Sequence, residues 1–398
     1  MWMLEKALIG SRRYWAWVVF LVCVIVVAGL CYLRQFDLGL GITGLSRSVS
    51  WGLYIGQFTF FVGVAASAVV VVLPYYLHGV KQFGKIVILG EFLAISAVIM
   101  CMLFIMVDLG QPARVFNIIL HPAPWSLMFW DMLSLSGYLL INATITLVSL
   151  RAERSELPHP AWLRPLAILS IPWAVSIHTV TAFLYCGLPG RAHWLTAILA
   201  PRFLASAFAA GPALLILLCL ALRKFASFDV TGEALRKLAV IMTYATAISV
   251  FFVLVECFTV FYSRIPEHME SMQYLYFGLE GQRLMMPYMW LSAFLSVAAL
   301  LMLLIPSLRQ REWILPLACV FIFGSLWLEK GICLIVCGFT PSPLGDVTEY
   351  APTLPEWMIA AGIWSVGALL ITVFAKIALA VRRDVAEEQM VATEGLRP

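Results

Sequence analysis

Charged side chains are scarce in this chain. Only 12% of its 398 residues are Asp, Glu, Lys or Arg, while 62% are hydrophobic. A soluble domain carries about 25% charged residues, enough to coat a water-facing surface. The deficit excludes a soluble enzyme, a disordered regulator and a nucleic-acid binder. For the last, no basic run with interleaved aromatics exists to follow a phosphate backbone. Metal-ligand patterns are missing too. None of the nine cysteines forms a C-x-x-C pair, and Cys333 and Cys337 stand four apart with no histidine beside them. They read as small apolar packing residues in lipid-buried helices, not as ligands of an iron–sulfur cluster. Of the six histidines, His78, His121, His159, His193 and His268 fall in loops or at helix ends. Only His178 is deep, so no pair is available to ligate a membrane b-type haem.

What the chain has instead is long apolar runs. Ten of span length occur at about 14–33, 51–77, 86–108, 125–150, 165–187, 203–222, 238–262, 284–306, 313–337 and 357–381. A bilayer core takes about 20 apolar residues per helix, so the fold class is an all-α polytopic membrane protein with ten spans. The first run is too long for a signal h-region and no A-x-A-like site follows it; it reads as a retained helix.

Orientation follows from the Lys/Arg bias. If the N-terminus is cytoplasmic, one side holds Lys6, Arg12, Arg13, Lys81, Lys85, Arg151, Arg154, Arg164, Arg223, Lys224, Arg236, Lys237, Arg309, Arg311, Lys376, Arg382, Arg383 and Arg397. The other side holds Arg34, Arg47, Arg114, Arg191, Arg202, Arg264 and Arg283. Eighteen against seven places both termini in the cytoplasm, in an inner (cytoplasmic) membrane. The basic connectors are short. The outer ones are rich in Gly, Pro and aromatics: 109–124, 187–194, 263–283 and 338–357. Such long, aromatic loops are expected to form a docking surface and the roof of a pocket. The segment 338–357, with Asp346, Glu349 and Glu356 and no basic residue, is expected to present a rigid acidic surface.

An ionisable group inside a bilayer costs at least about 2.5–3.5 kcal/mol, so each one calls for a reason. The candidates are Glu91, Asp108, Asp131, His178, Glu256, Glu329 and Lys330. Snorkelling accounts for Asp108, at the interface, but not for His178, Glu256 or Glu329. Glu329 and Lys330 point about 100° apart on a helix, so each needs its own partner or a place on a proton or substrate path. A weak parallel repeat pairs spans two to five with six to nine. The second helix of each carries an outer acid (Asp108, Glu256) and the fourth a deep ionisable group (His178, Glu329).

Several segments carry a family likeness: 51-WGLYI-55, 108-DLGQPARVFN-117, 178-HTVTAF-183, 255-VECFTVFY-262 and 327-WLEKGICLIVCGFTPSPLGDVTEYAPTLPEW-357. Together they resemble the NrfD/PsrC family of quinone-interacting membrane subunits, and the ten-span form resembles its DsrP-like branch from sulfur-metabolism complexes. The chain has Gln111 where many relatives carry arginine. The resemblance implies two four-helix bundles plus flanking helices. The divisions are then 1–50 (flanking helix and outer loop), 51–190 (first bundle, with the quinone site), 191–340 (second bundle) and 341–398 (outer loop, last helix and tail). It further implies exchange of electrons between menaquinone or another quinone and a periplasmic four-cluster ferredoxin-like iron–sulfur subunit. Cytochrome c, cytochrome b and cytoplasmic iron–sulfur subunits would belong to the same complex, and the chain itself would bind neither haem nor a cluster.

A quinone ring needs an apolar slot, an aromatic wall and groups to carry two protons. Trp51, Tyr54 and Gln57 are the expected wall and donors; Asp108, Asp131 and His178 are the proton carriers. Arg114 is placed to polarise an oxygen or to fix Asp108. Glu91, His178 and Asp108 are candidate stations of a relay from the cytoplasm, with Glu256, Glu329 and Lys330 as a second half-path. The competing reading is a secondary transporter with a midplane ionisable site. Long outer loops and the lack of clearly broken helices count against it.

Overall fold

The computed structural model describes residues 2–155, 158–226, 228 and 230–394; Arg397, counted above on the basic side, lies outside them, as does the side chain of Lys85. Among the described residues, ten helices are long and apolar enough to cross a membrane: α1 Arg12–Ile42, α2 Leu53–His78, α3 Ile86–Asp108, α4 Leu127–Arg154, α5 Leu163–Cys186, α6 Leu199–Ala226, α7 Gly232–Ser263, α8 Met286–Leu304, α9 Ile314–Cys337 and α10 Leu354–Asp384. Among the described residues there is no β-strand, only one isolated bridge between Leu279 and Gln282. The all-α polytopic architecture expected from hydropathy is therefore present. With no water in the hydrocarbon to satisfy free backbone groups, helices are the natural form for such runs.

Helices α2–α5 pack each on the next and close α5 back on α2. Helices α6–α9 repeat the pattern, and α2 joins the two bundles by packing on α6 and α9. Helix α10 lies against α3 and α4, and α1 packs outside it. Position in this arrangement explains composition. α2 and α3 are buried nearly all round and apolar on every face, whereas α1, α7 and α8 turn Val, Leu and Phe side chains outward as a lipid belt.

The two ends of the bundle differ. At the basic end, Lys6 meets Asp384 at 2.7 Å and Arg382 meets Glu153 at 2.7 Å, tying the short helix Trp2–Leu8 and α4 to α10. The opposite end carries the long connections, including a surface helix at Pro266–Tyr276.

Two central helices are not continuous, contrary to the expectation of unbroken spans. α2 is interrupted at Ala66, whose N–H turns back to Gly63 O at 3.3 Å. α9 widens into a π-turn over Glu329–Cys333. Single π-turns inside helices concentrate where side chains must be re-aimed. Glycine allows the close approach there: a Cβ on Gly56 would collide with the Gly331 carbonyl of the π-turn.

Candidate functional site

At the loop-rich end, α1, α2 and α3 bring together a compact polar group. The Tyr54 hydroxyl donates to Gln35 Oε1 at 2.8 Å, and Gln35 Nε2 donates to the Val107 carbonyl at 2.6 Å. Next along α3 is Asp108, whose buried Oδ1 has no hydrogen-bond partner among the described residues. Tyr54 and Gln35 are both almost fully buried. With its proton given to Gln35, the Tyr54 oxygen is left as an acceptor beside the unsatisfied carboxyl oxygen, a pair equipped to receive a hydroxyl and take up its proton.

This group is braced by the 341–356 segment. Glu356 is fully buried and accepts from Gly44 N at 2.7 Å, Thr353 N at 2.8 Å and Tyr350 OH at 2.6 Å. The Tyr350 oxygen in turn accepts from Leu53 N at 2.8 Å, holding the first turn of α2. Glu349 accepts from Leu284 N at 2.8 Å. The acidic surface expected here is therefore corrected: only Asp346 is exposed, and the two glutamates are spent on capping backbone N–H groups.

The other expected wall residues face elsewhere. Trp51 stacks on Trp194 with centroids 5.8 Å apart and meets Tyr185 and Phe339 edge-on, forming an aromatic box between the bundles. Arg191 lies over Phe339 on the same box, at 4.3 Å. Gln57 accepts from Trp327 Nε1 at 2.8 Å and Trp364 Nε1 at 3.1 Å, so it serves α9 and α10. Arg114 is exposed on the 109–124 loop and makes no ion pair with Asp108 among the described residues.

Deeper in the first bundle lie further buried polar side chains. Asp131 accepts from Thr181 at 2.7 Å, and Tyr185 and Thr59 share a short hydroxyl contact. His178 Nδ1 bonds the Ala174 carbonyl at 2.7 Å, leaving Nε2 unpartnered. Lys330 Nζ, 3.9 Å from the centroid of the Phe203 ring and beside Gly63, is also unpartnered. Below them the Tyr138 hydroxyl donates to Ala65 O at 3.2 Å, and Asn142 Nδ2 to Tyr138 O at 2.7 Å. Asn142 Oδ1, Thr146 Oγ1 and both Glu91 oxygens are likewise without partners. A cavity of about 400 Å³ lies at the basic end, lined by Glu91, Thr146, Tyr75, Tyr76, His159 and Arg382 among others. Buried polar atoms left by the protein are the groups that internal water serves.

The second bundle holds a buried ion triad. Arg202 on α6 bonds Glu256 on α7 through Nη1 and Glu329 in the π-turn of α9 through Nη2, with Nε 3.1 Å from Glu329 Oε1. Both glutamates are thus ion-paired, which answers the partner question for Glu329. Hydropathy alone puts Arg202 in an outer loop because the apolar run starts at 203; α6 begins earlier, at Leu199. His193, also expected in a loop, is 7% exposed and lies under the surface helix. Gln35, Arg202 and Tyr350 escape a reading of the sequence for function, and Glu356 reads only as a surface acid, since a polar residue next to an apolar run looks like an ordinary interfacial one.

Among the described residues, no group of three or more His, Cys, Asp or Glu side chains could hold a metal ion. The free lone pair on the Tyr54 oxygen and Asp108 Oδ1 are acceptors, which suit a hydroxyl of the reduced, quinol form of a quinone.

Sequence relatives span nearly the full length. A Halobacterium salinarum protein, named as a candidate membrane subunit of dimethyl sulfoxide reductase, is 28% identical over 402 residues, covering 90% of this chain and 89% of that one. A selenate reductase subunit of Mesobacillus selenatarsenatis is 24% identical, over 91% and 93% of the two chains. The Hdr-like menaquinol oxidoreductase integral membrane subunit of Archaeoglobus fulgidus is 23% identical, over 95% and 96%. The profile described as Polysulphide reductase, NrfD matches residues 41–341, from the end of α1 through α9, and so takes in both bundles. Ten helices, paired bundles and a match over most of the chain converge: this protein belongs to the NrfD family of polysulphide reductase membrane subunits.

Proposed function

We propose that this chain exchanges electrons between a quinone, of the menaquinone class, and a docked four-cluster ferredoxin-like iron–sulfur subunit. The loop-rich face is then periplasmic, the membrane is the inner one and both termini are cytoplasmic. The observation that carries the reading is the Tyr54–Gln35–Asp108 group, a fixed phenol oxygen left as an acceptor next to a free buried carboxyl oxygen, which together can receive a quinol hydroxyl. The named relatives, each a subunit of a reductase or of a menaquinol oxidoreductase, support it over a secondary transporter. Cytochrome and cytoplasmic iron–sulfur partners, as in sulfur-metabolism complexes, belong to the same proposal.

A bound quinol supplies two electrons and two protons. Tyr54 orients its oxygen, Gln35 fixes Tyr54, and the free Oδ1 of Asp108 takes up a proton at the loop-rich end. Asp131 and His178 lie deeper in the same bundle. Proton movement from the other side uses Glu91 at the basic cavity, then the buried polar groups from Asn142 to His178 and Lys330. The Glu256–Glu329 pair on Arg202 stands as a further station in the second bundle. Exposed Phe116, Ile119, Leu120 and Trp125 on the outer loop provide apolar surface for the partner.

The test is quinol-dependent reduction of the outer partner by the assembled complex. Tyr54→Phe and Asp108→Asn should each lower turnover by about 10²-fold, the usual yield of a positioned proton-transfer group. Near-normal rates in both variants would remove the site from this position. Substrate uptake into vesicles by the chain alone would favour transport instead.

A further inference from the structure

A second cavity, of about 200 Å³, lies at the loop-rich end of the other bundle. Its walls are the end of α7, the 193–198 segment leading into α6, and the surface helix Pro266–Tyr276. Ile198, Val255, Val260 and Met272 supply apolar wall, while His193, His268 and Glu256, with the hydroxyl residues Thr196, Thr259 and Ser263, supply the polar groups. Apolar wall with directed polar groups is the usual form of a small-molecule site. The rim is apolar as well. Leu195 and Ile265 are 52% and 49% exposed, and Phe258 and Tyr262 on the same end of α7 face outward.

His193 decides the chemistry. It is nine-tenths buried and makes no side-chain hydrogen bond among the described residues. Burial, with Arg202 and His268 beside it, holds its pKa down to about 3. At neutral pH it is therefore an uncharged imidazole with one donor and one acceptor nitrogen. The guanidinium of Arg202 is already matched by two carboxylates, so no positive charge is left for a phosphate or sulfonate. A neutral ring bearing oxygens that accept or donate a hydrogen bond is what remains.

We propose that this cavity is a second site for the head-group of a quinone or quinol, hydrogen-bonded by His193 beside Glu256, with the tail left in lipid. The proposal rests on the quinone reading of the chain but places a ligand apart from Tyr54 and Asp108, in the other bundle. The volume suits it: ligand sites that enclose a whole drug-sized molecule measure about 300–1,000 Å³, and a head-group alone needs less.

The experiment is photolabelling of the complex in native membranes with a short-tailed azidonaphthoquinone, followed by peptide mapping. Label is expected within 193–198 or 255–272, competed by excess unmodified quinone. Thr259 lines the cavity from an exposed position on α7, so Thr259→Trp fills the hollow at little risk to folding. It should cut that label about tenfold or more, equivalent to at least about 1.4 kcal/mol of binding. Thr259→Val, which exchanges the hydroxyl for a methyl group of similar size, should keep it. Competed label confined to α2–α5, unchanged by Thr259→Trp, would overturn the second site and leave the first standing. Absence of any competed label would overturn both.

Discussion

Replacing Arg202 with methionine tests whether the second bundle is held by a buried charge cluster. The side chains of Arg202, Glu256 and Glu329 are 8%, 6% and 9% exposed, so water contributes little to any of them. Removing one partner from a buried ion pair costs about 3–5 kcal/mol, because the partner left behind keeps its desolvation penalty. Here two carboxylates are left facing each other, so Arg202→Met should fall at or above the top of that range. Methionine fills much of the arginine stem, which keeps packing loss small. The charge origin is exposed by a triple variant, Arg202→Met with Glu256→Gln and Glu329→Gln. With no buried charge left in the cluster, it should recover to within about 1–2 kcal/mol of the parent protein, as buried triads replaced by neutral residues do. The assay is helical circular dichroism of the detergent-solubilised protein titrated with a denaturing surfactant. A single-variant loss under about 1 kcal/mol, the value of an exposed pair, would mean that the cluster is solvated. A triple variant no better than the single would show that packing, not charge, is what Arg202 supplies.

Three other perturbations follow from the same structure. In vesicles, Glu91→Gln should lower proton uptake from the basic side per quinol turned over while leaving electron transfer largely intact. Turnover in the parent protein with no uptake from that side would end the relay reading. His193 binds its proton more weakly when folded than in the unfolded chain (about 3 against 6.5), so its contribution is full above pH 6.5 and lost as pH falls toward 3. At pH 5 the loss is about 2 kcal/mol, and His193→Gln should flatten unfolding midpoints measured between pH 7.5 and 5 by that amount. An unchanged pH slope would show that His193 is accessible to water. Finally, Gly56→Ala drives a methyl into the Gly331 carbonyl and should cost about 1–3 kcal/mol by pushing α2 from α9; a neutral effect in the same surfactant titration would contradict the close crossing.

Much of the fold is legible along the chain. Span number, approximate span bounds and the contrast between basic connectors and long aromatic loops each depend on residues adjacent in sequence. Hydrocarbon imposes its demand on every window of about 20 residues separately, so no tertiary information is needed to count helices. Tyr54 and Asp108 can be placed at one depth for the same reason, since each closes an apolar run at the same end.

Which side chains meet is a different matter. Trp51, just before α2, and Tyr54 and Gln57 in its first turns lie close in sequence, yet they face an aromatic box, the Gln35–Asp108 group and the tryptophans of α9 and α10. A helix buried all round presents no polar stripe from which facing could be read, and α2 is such a helix. Arg202, Glu256 and Glu329 come from three helices, and their meeting depends on a helix start earlier than the apolar run and on a π-turn that re-aims Glu329. Glu349 and Glu356 look like surface acids in the sequence because the N–H groups of Gly44 and Leu284 that they cap belong to distant segments. Periodicity and hydropathy are local, and determined the helices by themselves; pairing of buried charge is a demand between helices, and only their packing could settle it.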